Sequence, residues 1–298
     1  MLRSTLCSVC LLILVPLAAR ADDAGPAAVA AAPQEAVGGS GAAAAPRLDG
    51  LTVFLDAGHG GKLDGAVGAK GEKEKNVALA VVKRLREELV KAGAKVLVSR
   101  SSDVDVDLWE RMTKANDAKA DLFVSIHCNA MPFGRVRAVT HGIETYFLSA
   151  ETTDEQAQRV VAQENGEAKR LKRSTDPLAN ILDDLAQTEA HHDASAFAYA
   201  VHQRLIKDLG AADRGVQQAP FIVLMGAQMP AILVEVGFIS HPEESKKLSD
   251  KDYQGRLASS LVDGLGAFVE ENGKHLKAAD APASKAVEPK KAAEAPAR

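Results

Sequence analysis

The chain has 298 residues, 36 Lys plus Arg against 40 Asp plus Glu, a formal charge of −4 and 46% hydrophobic residues. Nearly cancelled charge and ordinary apolar content exclude a disordered polyelectrolyte and a collagen-like repeat, and there is no basic excess to neutralise phosphates, so nucleic acid is not an expected partner. Three Cys cannot build a disulfide framework.

Residues 1–21 carry Arg3, an apolar run from Leu6 to Leu17 and then Ala19-Arg20-Ala21. This reads as a secretory signal with a small-x-small cleavage site, the run being well short of the about 20 residues that span a bilayer. Export to the periplasm or cell envelope follows, with no transmembrane segment after cleavage and Cys128 as the one remaining thiol. Residues 22–48 are mostly Ala, Gly and Pro and read as a linker, and 273–298, rich in Ala, Lys, Pro and Glu, as a disordered tail. Residues 49–272 are long enough for one domain with a full core.

Within that span short apolar runs alternate with segments of helical period, which predicts an α/β domain with a mostly parallel, roughly six-stranded twisted sheet flanked by helices. Strands are expected at Leu51–Asp56, Lys95–Arg100, Asp121–His127, Gly142–Leu148, Phe221–Leu224 and Ala231–Val236. Helices are expected at Glu74–Ala92, Leu108–Ala118, Asp154–Leu171, Pro177–Ala190, Ala194–Leu209 and Asp252–Glu270. In the first helix Ala78, Val81, Leu85 and Leu89 form one inward stripe, closed by Gly93.

Four polar residues stand out against this pattern. The first strand runs into Ala57-Gly58-His59-Gly60-Gly61, which places His59 just past its carboxyl end; the third strand ends in His127. Extending the apolar stripe backwards from Ala78 lands on Glu74, whereas Glu72 falls outside it. Glu235 is the one carboxylate in an otherwise apolar strand. Taken singly, a strand-end His is usually structural and a helix-start Glu usually answers the helix dipole. Together they need partners, because ionisable groups among apolar strands are costly unless paired or metal-bound, and the carboxyl ends of strands are where open α/β sheets bind ligands. Two imidazoles and a carboxylate suit Zn2+ with a fourth position left for water, and Glu235 is then the acid/base.

The stretches VFLDAGHGG (53–61), GEKEKNVAL (71–79), RSSDVDVDLWERMTKAN (100–116), SIHCNA (125–130), ILDDLAQTE (181–189) and AILVEVGFISHPEE (231–244) make the chain resemble the zinc-dependent N-acetylmuramoyl-L-alanine amidases of the bacterial cell envelope. The resemblance implies one Zn2+ held by His59, Glu74 and His127, Glu235 as the catalytic carboxylate, and peptidoglycan as substrate, cut between N-acetylmuramic acid and L-alanine. Cys128 and His241 depart from the family pattern. Neighbouring strand residues face opposite ways, so Cys128 should point away from a metal at His127, and His241 reads as a turn or rim residue.

Residues 149–194 are long for a crossover and acid-rich. They read as a solvated helical face or, by the same resemblance, as a regulatory insert whose carboxylate fills the open metal position and which an activator protein would relieve. Glu164 is the first candidate; His191 and His192 read as surface residues. A zinc peptidoglycan peptidase or carboxypeptidase is the nearest alternative, though no Arg stands beside the four residues to clamp a terminal carboxylate. A catalytically silent peptidoglycan-binding protein is the other.

Overall fold

The structure, a computed structural model, describes residues 46–132, 134–166 and 177–278. The leader expected at 1–21, nearly all of the linker and most of the tail lie outside the described residues.

Six strands form one sheet in the order β2-β1-β3-β6-β4-β5, with β1 Thr52–Ala57, β2 Lys95–Val98, β3 Leu122–Asn129, β4 Ile143–Leu148, β5 Asp213–Ala219 and β6 Ala231–Phe238. All neighbours are parallel except β4 and β6. That antiparallel seam matters for the site: the first residues of β4 and β5 lie at the sheet edge where β3 and β6 end.

Helix α1 (Glu74–Lys91) buries the stripe Ala78, Val81, Leu85 and Leu89, and Gly93 follows it at φ 96°. It packs with α5 (Pro177–Leu209) and α7 (Lys251–Ala278) over one sheet face, where Phe197, Val201, Leu261 and Phe268 meet Val53, Val124 and Val234. Each such fully buried side chain stabilises the fold by about 1.5–3 kcal/mol. The opposite face is covered by α2 (Leu108–Asp117), α4 (Glu155–Asn165) and a 3-10 turn at Ile222–Leu224, around Phe54, Phe123, Tyr146 and Leu233. Short helices α3 (Val136–Val139) and α6 (Pro242–Ser249) complete the elements of the described residues. Among the described residues no helix is long and apolar enough to cross a membrane.

Several expectations are corrected. Phe221–Leu224 is not a strand: its apolar run, bounded by Pro220 and Gly226, closes 3-10 hydrogen bonds from Leu224 N to Phe221 O and from Met225 N to Ile222 O. The missing strand is β5, Asp213-Arg-Gly-Val-Gln-Gln-Ala, an edge strand only half buried, so it needs no apolar run to advertise it. The helices expected on either side of residues 191–193 are one helix, α5, because nothing between them breaks a helix. Folded structure also begins before residue 49, since Leu48 is buried in the core and its N–H bonds Ala92 O, and α7 runs past residue 272 to Ala278.

Candidate metal centre and catalytic carboxylate

β1 delivers the chain into a glycine-rich loop at the carboxyl edge of the sheet. His59 sits there with φ 56°, a left-handed backbone that His tolerates better than most residues. Two buried arginines hold the loop. Arg100 Nε and Arg111 Nη1 both donate to Ala57 O at 2.9 and 2.8 Å, Arg100 Nη2 donates to Gly58 O at 2.7 Å, and Arg111 Nη2 to His59 O at 3.0 Å. Arg111 also pairs at 2.8 Å with buried Asp56, whose other oxygen accepts from Ser125 Oγ at 2.7 Å. Burial is the largest single influence on the Asp56 carboxylate and raises its pKa, but Arg111, Ser99, His127 and Ser125 together hold it below the usual range.

Glu74 opens α1 fully buried. Its Oε1 accepts from Cys128 N at 2.9 Å and its Oε2 from Ala66 N at 2.8 Å, which aims the carboxylate at the two imidazoles. Oε1 lies 3.0 Å from both His59 Nε2 and His127 Nδ1. Glu164, on the last turn of α4, enters from the other side: its Oε2 is 3.2 Å from His59 Nε2 and 2.8 Å from His127 Nδ1. One ligand atom from each of His59, Glu74, His127 and Glu164 falls within a 4.8 Å group, all four residues buried. Glycines make the space: a Cβ at Gly58 would stand 2.5 Å from the His127 ring, and one at Gly65 would stand 2.5 Å from the ring of His59.

Such a set fits a small divalent cation. Ligands about 2.0–2.1 Å from one tetrahedral zinc are mutually about 3.3 Å apart, close to the separations seen here. The orphaned buried atoms agree, since His127 Nε2 and both oxygens of Glu235 have no hydrogen-bond partner among the described residues. Burial disfavours charge throughout, yet the carboxylates of Glu164 and Glu74 push His127 up to about 10, while the imidazoles hold Glu74 and Glu164 below their ordinary values.

Glu235 is paired in register with His127 across β3 and β6, so both side chains leave the same face. Burial first, then the charge on Glu164, pushes its pKa well above the usual carboxylate range. Cys128 faces the opposite core, and burial raises its thiol pKa. His241 is the N-cap of α6, its Nδ1 accepting from Glu244 N at 3.3 Å. His192 is exposed beside Asp193, and the side chain of His191 lies outside the described residues.

Three residues at this edge escaped the sequence reading. Arg111 follows the inward spacing of Leu108 and Ala115 on α2 and could have been found from it. Glu144, a carboxylate in the apolar strand β4, carried the same signal as Glu235 and faces it directly across the antiparallel pair. Arg214, bonded through Nε to Glu144 Oε1 at 2.6 Å, left no signal, because its strand has no apolar pattern.

An α/β sheet with two histidines and two carboxylates buried together at its strand ends defines a domain that could hold a metal ion. The family described as N-acetylmuramoyl-L-alanine amidase matches residues 53–267. The chain is 34% identical over 230 residues to YqiI of Bacillus subtilis, covering 77% of this chain and 90% of that protein. It is 34% identical to the N-acetylmuramoyl-L-alanine amidase AmiC of Escherichia coli over 229 residues, 74% of this chain but 53% of AmiC. The crystal structure of an N-acetylmuramoyl-L-alanine amidase from Clostridium difficile 630 superposes with TM-score 0.58 at 29% identity, covering 75% of this chain and 98% of that one. The chain belongs to the N-acetylmuramoyl-L-alanine amidase family.

Proposed function

We propose that the protein acts in the cell envelope as a zinc-dependent peptidoglycan amidase, hydrolysing the amide between N-acetylmuramic acid and L-alanine, with His59, Glu74 and His127 as metal ligands and Glu235 as general base. The observation that carries the reading is the convergence of two imidazoles and Glu74 beside a buried carboxylate, Glu235, that has no hydrogen-bond partner among the described residues. A zinc ion held there supplies Lewis-acid chemistry, polarising the carbonyl and acidifying a water. Glu235, on the same face as His127, takes a proton from the attacking water and passes it to the departing L-alanine nitrogen. Arg100 and Arg111, by fixing the carbonyls of residues 57–59, keep His59 in place for this.

The group includes a fourth ligand, Glu164, where a hydrolase needs an open position. Its place supports a resting state in which α4 closes the centre and an activator protein, or the substrate, draws Glu164 out. Mass spectrometry of muropeptides incubated with the chain and its Glu164→Ala variant, with and without chelator, tests reaction and metal together. Free L-Ala amino termini on intact stems, lost with chelator, are expected; products cut inside the stem would point to a peptidase instead.

A further inference from the structure

Arg214 stands at the start of β5, on the edge where β3 and β6 end, and its guanidinium is only half committed. Nε donates to Glu144 Oε1 at 2.6 Å and the group lies over the Phe238 ring, 5.1 Å from its centroid. Nη1 and Nη2 donate no hydrogen bond among the described residues, although the side chain is only 30% exposed. The carboxylate under it is firmly held: Glu144 Oε2 accepts from Asn129 Nδ2 at 2.6 Å and from Tyr146 Oη at 2.8 Å. Glu144 thus fixes the Arg side chain through Nε, leaving the donors Nη1 and Nη2 without a partner among the described residues. A guanidinium fork of this kind matches a carboxylate bidentately.

The register sets the distance. His127 is paired with Glu235, and Glu235 with Glu144, so the arginine's anchor is two strands from the histidine on the same face. Strands are spaced about 4.8 Å apart, which puts Glu144 roughly 10 Å from His127, while an extended peptide advances about 3.3 Å per residue. We propose that Arg214, braced by Glu144 and Phe238, is the anion-receiving arm of a peptide subsite that binds a carboxylate on the second or third residue beyond the scissile amide. The inference rests on the amidase reading and adds which part of the substrate this edge selects. It also places an arginine near the site, set aside from the candidate metal ligands and therefore suited to choosing peptides.

The test compares two synthetic N-acetylmuramoyl-L-alanyl tripeptides, one with free carboxylates at the second and third residues and one with both amidated. Turnover is measured with the full-length chain carrying Glu164→Ala. The Arg214 enzyme is expected to favour the free acid about tenfold in kcat/KM, the scale of one charge-assisted hydrogen bond, with the difference in KM. Arg214→Met should erase that ratio, as should the double variant Glu144→Gln/Arg214→Met, which leaves no buried carboxylate unpaired. No preference in the parent, a preference that survives in both variants, or an equal fall on both peptides would overturn the proposal. Calorimetric titration of the two peptides into the Glu164→Ala/Glu235→Gln chain reads the same preference without turnover, so failure of the amidase reading and failure of the subsite are told apart.

Discussion

Glu164 Oε2 lies 2.8 Å from His127 Nδ1, although the two residues come from a helix on one sheet face and the end of a central strand. Two partly opposed demands meet there: a buried carboxylate needs a cation, and a hydrolytic metal needs an open position. Removing this carboxylate should therefore raise activity. Glu164→Ala is expected to increase muropeptide release by about tenfold or more, as expected when a closed state is favoured by a few kcal/mol. An unchanged rate in a folded, metal-loaded variant would rule out α4 as a closing element.

The same substitution carries a pH signature. Burial, then Glu164, raises the Glu235 pKa, so losing the Glu164 charge lowers it. In the proposed mechanism Glu235 works as a base only when ionised. The acidic limb of the kcat/KM profile should accordingly move to lower pH in Glu164→Ala than in the parent, a shift in the opposite direction being incompatible with this coupling.

Glu235→Gln keeps the shape and removes the proposed base. Turnover should fall about 10²- to 10⁴-fold, while zinc content by plasma mass spectrometry stays at one per chain. Loss of zinc in this variant would instead place Glu235 among the ligands.

Asp56 and Arg111 form a buried pair beneath the loop that carries His59. The folded pKa of Asp56 is depressed, so its stabilisation is present above the unfolded value near 4 and is lost as pH falls through the folded one. Asp56→Asn leaves Arg111 buried without its counter-charge and should cost about 3–5 kcal/mol at pH 7, with a shallower loss of stability on acidification. Urea titrations between pH 7 and acid would show both effects.

Gly58 is a test of the space around the cluster. Gly58→Ala puts a methyl 2.5 Å from the His127 ring, so the ring must move or the loop must give. Weaker zinc retention during dialysis is expected, with a stability loss of about 1–3 kcal/mol. Normal zinc affinity would mean that the loop yields more readily than its arginine clamps imply.

Much of the fold was legible because periodicity is a local property. The α1 stripe and the apolar strands β1, β3 and β6 must bury themselves whatever their neighbours do, and a polar residue among them announces itself, as His127 and Glu235 did. β5 was not legible, since an edge strand needs no apolar run, and neither was the 3-10 turn at Ile222–Leu224, whose apolar residues are buried without being extended. Arg111 had a readable inward spacing, but what it holds, the carbonyls of residues 57 and 59, lies some 50 positions away in the chain.

Burial cost and strand-end position were enough to single out His59, Glu74, His127 and Glu235 as a candidate metal site on an α/β sheet, while the activity was implied by the family resemblance. Only the folded chain decided their company. The reversal of β4 against β6 brings Glu144 and Arg214 to the edge where His127 and Glu235 emerge, and the packing of α4 on the outer face directs Glu164 between the two imidazoles. Side-chain period is written in neighbouring residues, whereas strand order and helix docking are set by contacts between segments far apart in the chain, which no local pattern encodes.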